Sequence, residues 1–178
     1  TPYVLSIIII PLMVVASVGG LLIPGLYRDN AHVTAGWFGN DLVTLLVATP
    51  LLALSLFLSA RGSQRARLVW LGMLDYALYN YAYYLFGTAF NSFFLIYVIL
   101  FTLSMMALVF ALAELDVDEI GRQFRAGAPV RWIAGFMVFV AAGLSVVYSL
   151  ESLRFVLTGQ LPQIVTLTDK STSVVFAL

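Results

Sequence analysis

The sequence predicts an all-α fold, a polytopic integral membrane helical bundle with five spans and the start of a sixth. Of the 178 residues, 62% are hydrophobic and only 10% are charged, whereas a soluble domain has about 25% charged residues. The apolar residues also gather in runs of about 20, the length that a helix needs to cross a bilayer. We therefore predict that residues 1–178 form a single membrane domain in contact with lipid.

Apolar runs and stop signals place the first two spans. The first span covers about 3–23 and contains Pro11, which should kink it because proline lacks a backbone N–H and clashes one turn back. A polar loop is predicted at 24–40. The second span follows at about 41–60, and Pro50 lies within it as a second candidate kink.

The third and fourth spans are predicted at about 68–88 and 92–113. Only residues 89–91 separate them. Because short connections join antiparallel neighbours, these two spans should form a tight helical hairpin.

The fifth span is predicted at about 130–158, since Gly159 and Pro162 are the next stop signals. At 1.5 Å per residue this helix would be about 43 Å long. The chain then ends in the apolar run "SVVFAL", which we expect to begin a further span at about 173.

The distribution of basic residues predicts an orientation, because short cytoplasmic loops carry an excess of Lys and Arg. The loops at 61–67 and 114–131 hold Arg61, Arg65, Arg67, Arg122, Arg125 and Arg131. The opposite side holds Arg28, Arg154 and Lys170. We therefore predict a multi-pass protein of the plasma (inner) membrane with a cytoplasmic N-terminus.

Composition excludes several kinds of site. The chain has no cysteine and one histidine, and its net charge is zero. Thiolate metal sites, two-histidine sites on a helix and a basic nucleic-acid footprint are therefore excluded. We predict no cofactor, no metal and no nucleic-acid partner.

The stretch "LDYALYNYAYYLFG", residues 74–87, places polar groups within the third span. At about 100° per residue, Asp75, Tyr76, Tyr79, Asn80 and Tyr83 share one broad face. A carboxyl inside a membrane is costly and needs protein or water beside it. We therefore predict that this face turns inward and binds a ligand. The structural alternative is that the carboxyl and the amide join helices by hydrogen bonds.

The predicted outer loop gathers a second set of polar residues: Asp29, His32, Asn40 and Asp41. One imidazole and two carboxyls could perform acid–base chemistry or bind a divalent cation. Their spacing matches no metal motif. The structural alternative is that Asp29 is solvated and Asp41 caps the second span.

The stretches "PGLYRDNAHVTAGWFGNDLVTLLVATPLL" and "YALYNYAYYLFGTAFNSFFLIYV" resemble an uncharacterised group of bacterial polytopic membrane proteins. The likeness covers most of the chain. It implies further spans after the printed sequence, and it implies no activity or functional residue.

Three hypotheses for function follow from these patterns. The first is binding or proton-coupled transport of a small solute through a polar, Tyr-lined pocket on the third span. The second is an accessory or scaffold subunit, whose partner is another membrane protein or a second copy of the chain. The third is a membrane enzyme acting at the outer face.

Overall fold

The computed structural model describes residues 1–116, 118, 121–122, 129–162 and 165. Regular structure in these residues is helical throughout, which confirms the predicted all-α class. The chain forms two compact units, Thr1–Leu115 and Asp116–Leu178, and each unit is described by itself. The predicted start of a further span at about 173 lies outside the described residues, and the prediction of a single domain remains a prediction.

Four helices build the first unit, and the described part of the second unit contains one long helix. They are α1 Pro2–Leu22, α2 Ala31–Ala60, α3 Gln64–Gly87, α4 Phe94–Ala113 and α5 Val130–Thr158. The last helix ends at Gly159, which has a positive φ of 69°. This left-handed end is the stop that a glycine permits, and the predicted bounds of the fifth helix are confirmed.

Four of these helices, α1, α2, α4 and α5, are long and apolar enough to cross a membrane. Helix α3 is 24 residues long, but it is not one of the four because its tyrosines, asparagine and charged residues lower its hydropathy. The predicted count of five spans therefore remains a prediction.

Helix α2 begins ten residues earlier than the sequence predicted. The side chain of Asn30 accepts a hydrogen bond from the Val33 backbone N–H at 3.0 Å and caps the helix. The predicted loop at 24–40 is therefore wrong over residues 31–40, and Asp41 lies inside the helix rather than at its cap. Burial of Trp37, which is 1% exposed, stabilises this first part of the helix.

A π-helical turn, Thr44–Ala48, ends two residues before Pro50 in α2. A proline removes one backbone donor and clashes with the carbonyl of the preceding turn. The wider π turn accommodates this local conflict without ending the helix. Turns of this kind occur frequently at functional sites.

The core of the first unit lies where α1, α2, α3 and α4 pack together. Leu74 and Ala77 of α3 are fully buried, as are Met13 of α1 and Leu100 of α4. At one end, the indole of Trp70 donates a hydrogen bond to the Ser6 hydroxyl at 3.0 Å. Helix α3 therefore packs closely on α2 and α4 although it is the most polar helix of this unit.

The predicted orientation of α3 is wrong. The face that carries Asp75 and Tyr79 was expected to turn inward, but both residues are exposed, whereas Leu74 and Ala77 on another face are buried. The helix is rotated by about a third of a turn from the prediction. Close packing favours leucine and alanine on the inner face, and this preference outweighs the polarity pattern. Of the predicted polar face, Asn80 is buried as expected.

We predict that Leu74→Ala lowers the free energy of unfolding by about 2–5 kcal/mol, because it removes packing and leaves a cavity. The matched control is Leu95→Ala on α4, where the side chain is 69% exposed, and its cost should be below about 0.5 kcal/mol. Unfolding of the purified protein in detergent micelles measures both. Equal losses would contradict the observed orientation of α3.

Candidate functional site

The carboxyl of Asp41 is the centre of the candidate site. Asp41 lies on the inner face of α2 and is 2% exposed. The Tyr84 hydroxyl donates a hydrogen bond to Oδ1 at 2.8 Å, and the Tyr27 hydroxyl donates one to Oδ2 at 2.5 Å. Each carboxyl oxygen therefore has a phenolic donor, one from α3 and one from the connection between α1 and α2.

Two further polar contacts continue from Asp41 along the seam between α2 and α3. The Asn40 amide donates to Oδ1 of Asn80 at 2.7 Å. The hydroxyls of Thr44 and Tyr76 lie 2.8 Å apart. Residues three or four positions apart share a helix face. The polar residues of α2 and those of α3 have this spacing, so the two sets face each other along helices that run in opposite directions.

Aromatic rings cover this polar seam. The ring of Trp37 lies 4.4 Å from that of Tyr83 and 4.9 Å from that of Tyr84, measured between centroids. Tyr84 also lies 5.0 Å from Tyr97 of α4. Trp37, Tyr84 and Tyr97 are each no more than 2% exposed. The rings therefore keep the carboxyl out of solvent.

Helix α1 closes the site from a further side at Gly20. A Cβ atom at this position would clash with Oδ2 of Asp41 and with the Tyr27 hydroxyl. Glycine is therefore required for the close approach of the α1 backbone. Burial raises the pKa of the Tyr27 hydroxyl well above its ordinary value, so this phenol keeps its proton and remains a donor.

Several buried polar atoms beside the seam lack a hydrogen bond of standard geometry among the described residues. They include the hydroxyls of Tyr81, Tyr97 and Ser17 and the amide nitrogen of Asn80. The ring of Tyr81 lies 5.9 Å from Tyr84 and 6.4 Å from Tyr97. Because buried polar groups in proteins are normally paired, the site has hydrogen-bonding capacity that its own side chains use only in part.

Asp29 has a structural position at the end of the first unit. Its Oδ2 accepts a hydrogen bond from the Trp37 indole at 2.9 Å, and the backbone N–H of Ala89 lies 3.2 Å from both carboxyl oxygens. This carboxyl connects the start of α2 to the segment between α3 and α4. His32 is exposed on the first turn of α2, about 13 Å along the helix from Asp41.

The structure joins parts of the two predicted groups into one site. Asn40 and Asp41 of the predicted outer group contact α3, and Tyr76 and Asn80 of the predicted ligand-binding group contact α2. Tyr83 packs on the indole of Trp37. Three predicted residues lie outside the site on the exposed surface: Asp75, Tyr79 and His32. Ligand binding by the predicted residues remains a prediction.

Sequence reasoning missed several residues of the site: Gly20, Tyr27, Trp37, Tyr81, Tyr84 and Tyr97. Tyr76, Asn80 and Tyr84 are spaced four residues apart, and this spacing indicates the face that contacts α2. The prediction was instead centred on the neighbouring face, because that face carries the Asp75 carboxyl. Tyr27 and Tyr97 approach from other elements, so no local pattern could have identified them.

In the part of the chain that the structure describes, no three His, Asp or Glu side chains are grouped so that they could hold a metal ion. Comparison of the chain with protein-family models, with curated proteins and with solved structures finds no match. The resemblance inferred from the two quoted stretches therefore remains a prediction.

We predict that Tyr84→Phe lowers the free energy of unfolding by about 1.5–3 kcal/mol, the usual worth of a hydrogen bond to a charged group. Tyr83→Phe is the matched control, since the Tyr83 ring also packs on Trp37 whereas the hydrogen bond to Oδ1 of Asp41 comes from Tyr84. Thermal unfolding in micelles compares them. An equal effect of both changes would show that the Asp41 contact adds nothing.

Gly20→Ala should destabilise the protein because the added Cβ must displace the Asp41 carboxyl or the Tyr27 hydroxyl. Gly36→Ala is the control, since a Cβ there meets nothing within 4 Å and alanine favours a helix by about 1 kcal/mol over glycine. The first change should therefore lower the melting temperature and the second should hold or raise it. The opposite order would contradict the close approach of α1.

Proposed function

We propose that this protein binds or transports a small polar solute across a membrane and that protonation of Asp41 is coupled to this step. The observation that carries the proposal is a carboxyl, 2% exposed, held by two tyrosine hydroxyls within a helix apolar enough to cross a membrane. Ionisable groups inside membrane segments are costly and are retained mainly for function.

The proposal includes a bundle of five membrane spans, in which α3 crosses the membrane together with the four apolar helices. Its support is that α3 packs on apolar helices and buries Leu74 and Ala77 completely, so a membrane containing its neighbours would contain α3 as well. The loops at 61–67 and 114–131 have an excess of arginine, and such loops normally lie in the cytoplasm. The proposal therefore includes a multi-pass protein of an inner membrane with a cytoplasmic N-terminus.

Protonation of Asp41 would change its contacts in a defined way. An ionised carboxyl accepts from both Tyr27 and Tyr84, whereas a protonated one has an oxygen that donates. The phenol facing that oxygen must then turn its own proton elsewhere. A proton on Asp41 would thereby free a tyrosine donor. The hydroxyls of Tyr81 and Tyr97, which lack a hydrogen bond of standard geometry, lie beside it.

The chemistry of the site favours a small solute with several hydrogen-bonding groups. Its groups are carboxyl oxygens, phenols and amides against aromatic rings, a combination typical of pockets for small polar molecules. The proposed centre is thus Asp41 instead of Asp75, with Tyr76, Asn80 and Tyr83 retained beside it.

An accessory subunit of a larger membrane complex is the second candidate function. The observation in its favour is the exposed Asp75 in the middle of α3. The enzyme hypothesis has less support, because Asp29 and Asp41 accept hydrogen bonds from protein groups while His32 lies apart from both.

Infrared difference spectroscopy on the protein in liposomes tests the proposed proton site. We expect a pH step to produce a carboxyl band that is lost in Asp41→Asn and kept in Asp75→Asn. Asp75 is the matched control because it is a carboxyl in the same unit but on the exposed surface. An unchanged band in Asp41→Asn would contradict protonation of Asp41.

Native mass spectrometry of the gently extracted protein tests the solute. The expected result is a non-lipid small molecule that co-purifies with the wild type and with Asp75→Asn but is lost from Asp41→Asn. Equal retention of the small molecule in Asp41→Asn would show that the solute does not bind at the Asp41 site.

A further inference from the structure

The exposed side of α3 carries a regular stripe that the Asp41 site does not use. The stripe consists of Leu68, Gly72, Asp75, Tyr79, Ala82 and Phe86. Leu68, Tyr79 and Phe86 are 37%, 56% and 68% exposed, Gly72 and Asp75 are also exposed, and Ala82 is partly exposed. This side of the helix faces away from the core of the first unit.

The spacing of the stripe alternates between four and three residues. An average of 3.5 residues is the repeat of two helices that pack side by side with a left-handed supercoil. Small residues at such a seam let two backbones approach closely in a membrane. A Cβ atom at Gly72 would meet nothing within 4 Å, so there is open space beside this position.

Asp75 makes lipid an unsuitable neighbour for the stripe. It lies near the middle of α3, about 17 Å from either end of the helix. In a membrane, a carboxyl at this depth needs a partner that neutralises it or donates hydrogen bonds to it. The partner must therefore bring a polar or basic group to the centre of its own span.

Charge complementarity points away from the described helices of this chain as the source of that group. The first unit has four basic residues, Arg28, Arg61, Arg65 and Arg67, and all lie in connections or in the first turn of α3. In α5, Arg131 and Arg154 lie near the two ends of the helix. A second copy pairing through the stripe would also place like carboxyls close together.

We propose that this stripe is the docking surface for a transmembrane helix of another membrane protein, one that carries an arginine or lysine at mid-span to pair with Asp75. In this proposal the partner helix packs against the small residues Gly72 and Ala82 of the stripe, and the side chains of Tyr79 and Phe86 contact it. This surface is distinct from the Asp41 site, because it uses another face of α3, about a third of a turn away.

Cysteine crosslinking in the protein's own membrane tests the proposal, and the chain is suited to it because it has no native cysteine. Phe86→Cys on the stripe is treated with a short crosslinker that joins cysteine to amines and other nucleophiles. Leu95→Cys on α4, also well exposed at 69%, is the matched control. The crosslinked peptides are identified by mass spectrometry.

The expected result is a crosslink from the stripe, but not from the control, to an apolar helix of a different protein with a basic residue near its middle. Adding Asp75→Asn should lower the yield by about tenfold or more, as expected when one member of a buried charge pair is removed. Because Asp75 is exposed, this variant should fold, and its thermal unfolding in micelles should match the wild type.

Four results would overturn the proposal: a crosslink between two copies of the chain, a crosslink to residues 116–178 of the same chain, a partner helix without a basic residue, or equal yields from the stripe and the control. An unchanged yield with Asp75→Asn would also overturn the charge pairing.

Discussion

The pairing of the Asp41 carboxyl with the hydroxyls of Tyr27 and Tyr84 is the constraint on which the first unit depends. A buried carboxyl in an apolar helix must have donors close to both oxygens. Meeting this demand fixes the register of α2 against α3 and draws the connection after α1 inward. It also requires glycine at position 20, where the α1 backbone approaches the same oxygen.

The carboxyls of Asp41 on α2 and Asp75 on α3 have different surroundings, and this difference suits two different functions. Asp41 is surrounded by phenols and by the Trp37 ring, whereas Asp75 lies on the exposed side of α3. A charge held inside the unit suits chemistry that the chain performs itself. A charge displayed at mid-helix suits recognition of another helix. The same helix, α3, thereby links the proposed proton site on one face to the proposed docking surface on another.

Helix positions were easier to predict than helix faces. Apolar runs and the stop at Gly159 located α1, α4 and α5 to within about two residues, because hydropathy and stop signals are local. The start of α2 was missed because Gly36 and Gly39 resemble turn residues, while burial of Trp37 decided in favour of helix. The facing of α3 was wrong because polarity alone does not reveal how tightly leucine and alanine pack. Asn40, Asp41, Tyr76 and Asn80 were all identified, but their meeting depends on tertiary contacts.

A double-mutant cycle between Asp41 and Tyr84 tests the central claim most directly. Asp41→Ala, Tyr84→Phe and the combined variant are unfolded in the same micelles, and the coupling is the difference between the combined loss and the sum of the single losses. Residues in direct contact should give a coupling energy of about 1–3 kcal/mol. A coupling within error of zero would contradict the account, because the carboxyl and the phenol would then act independently.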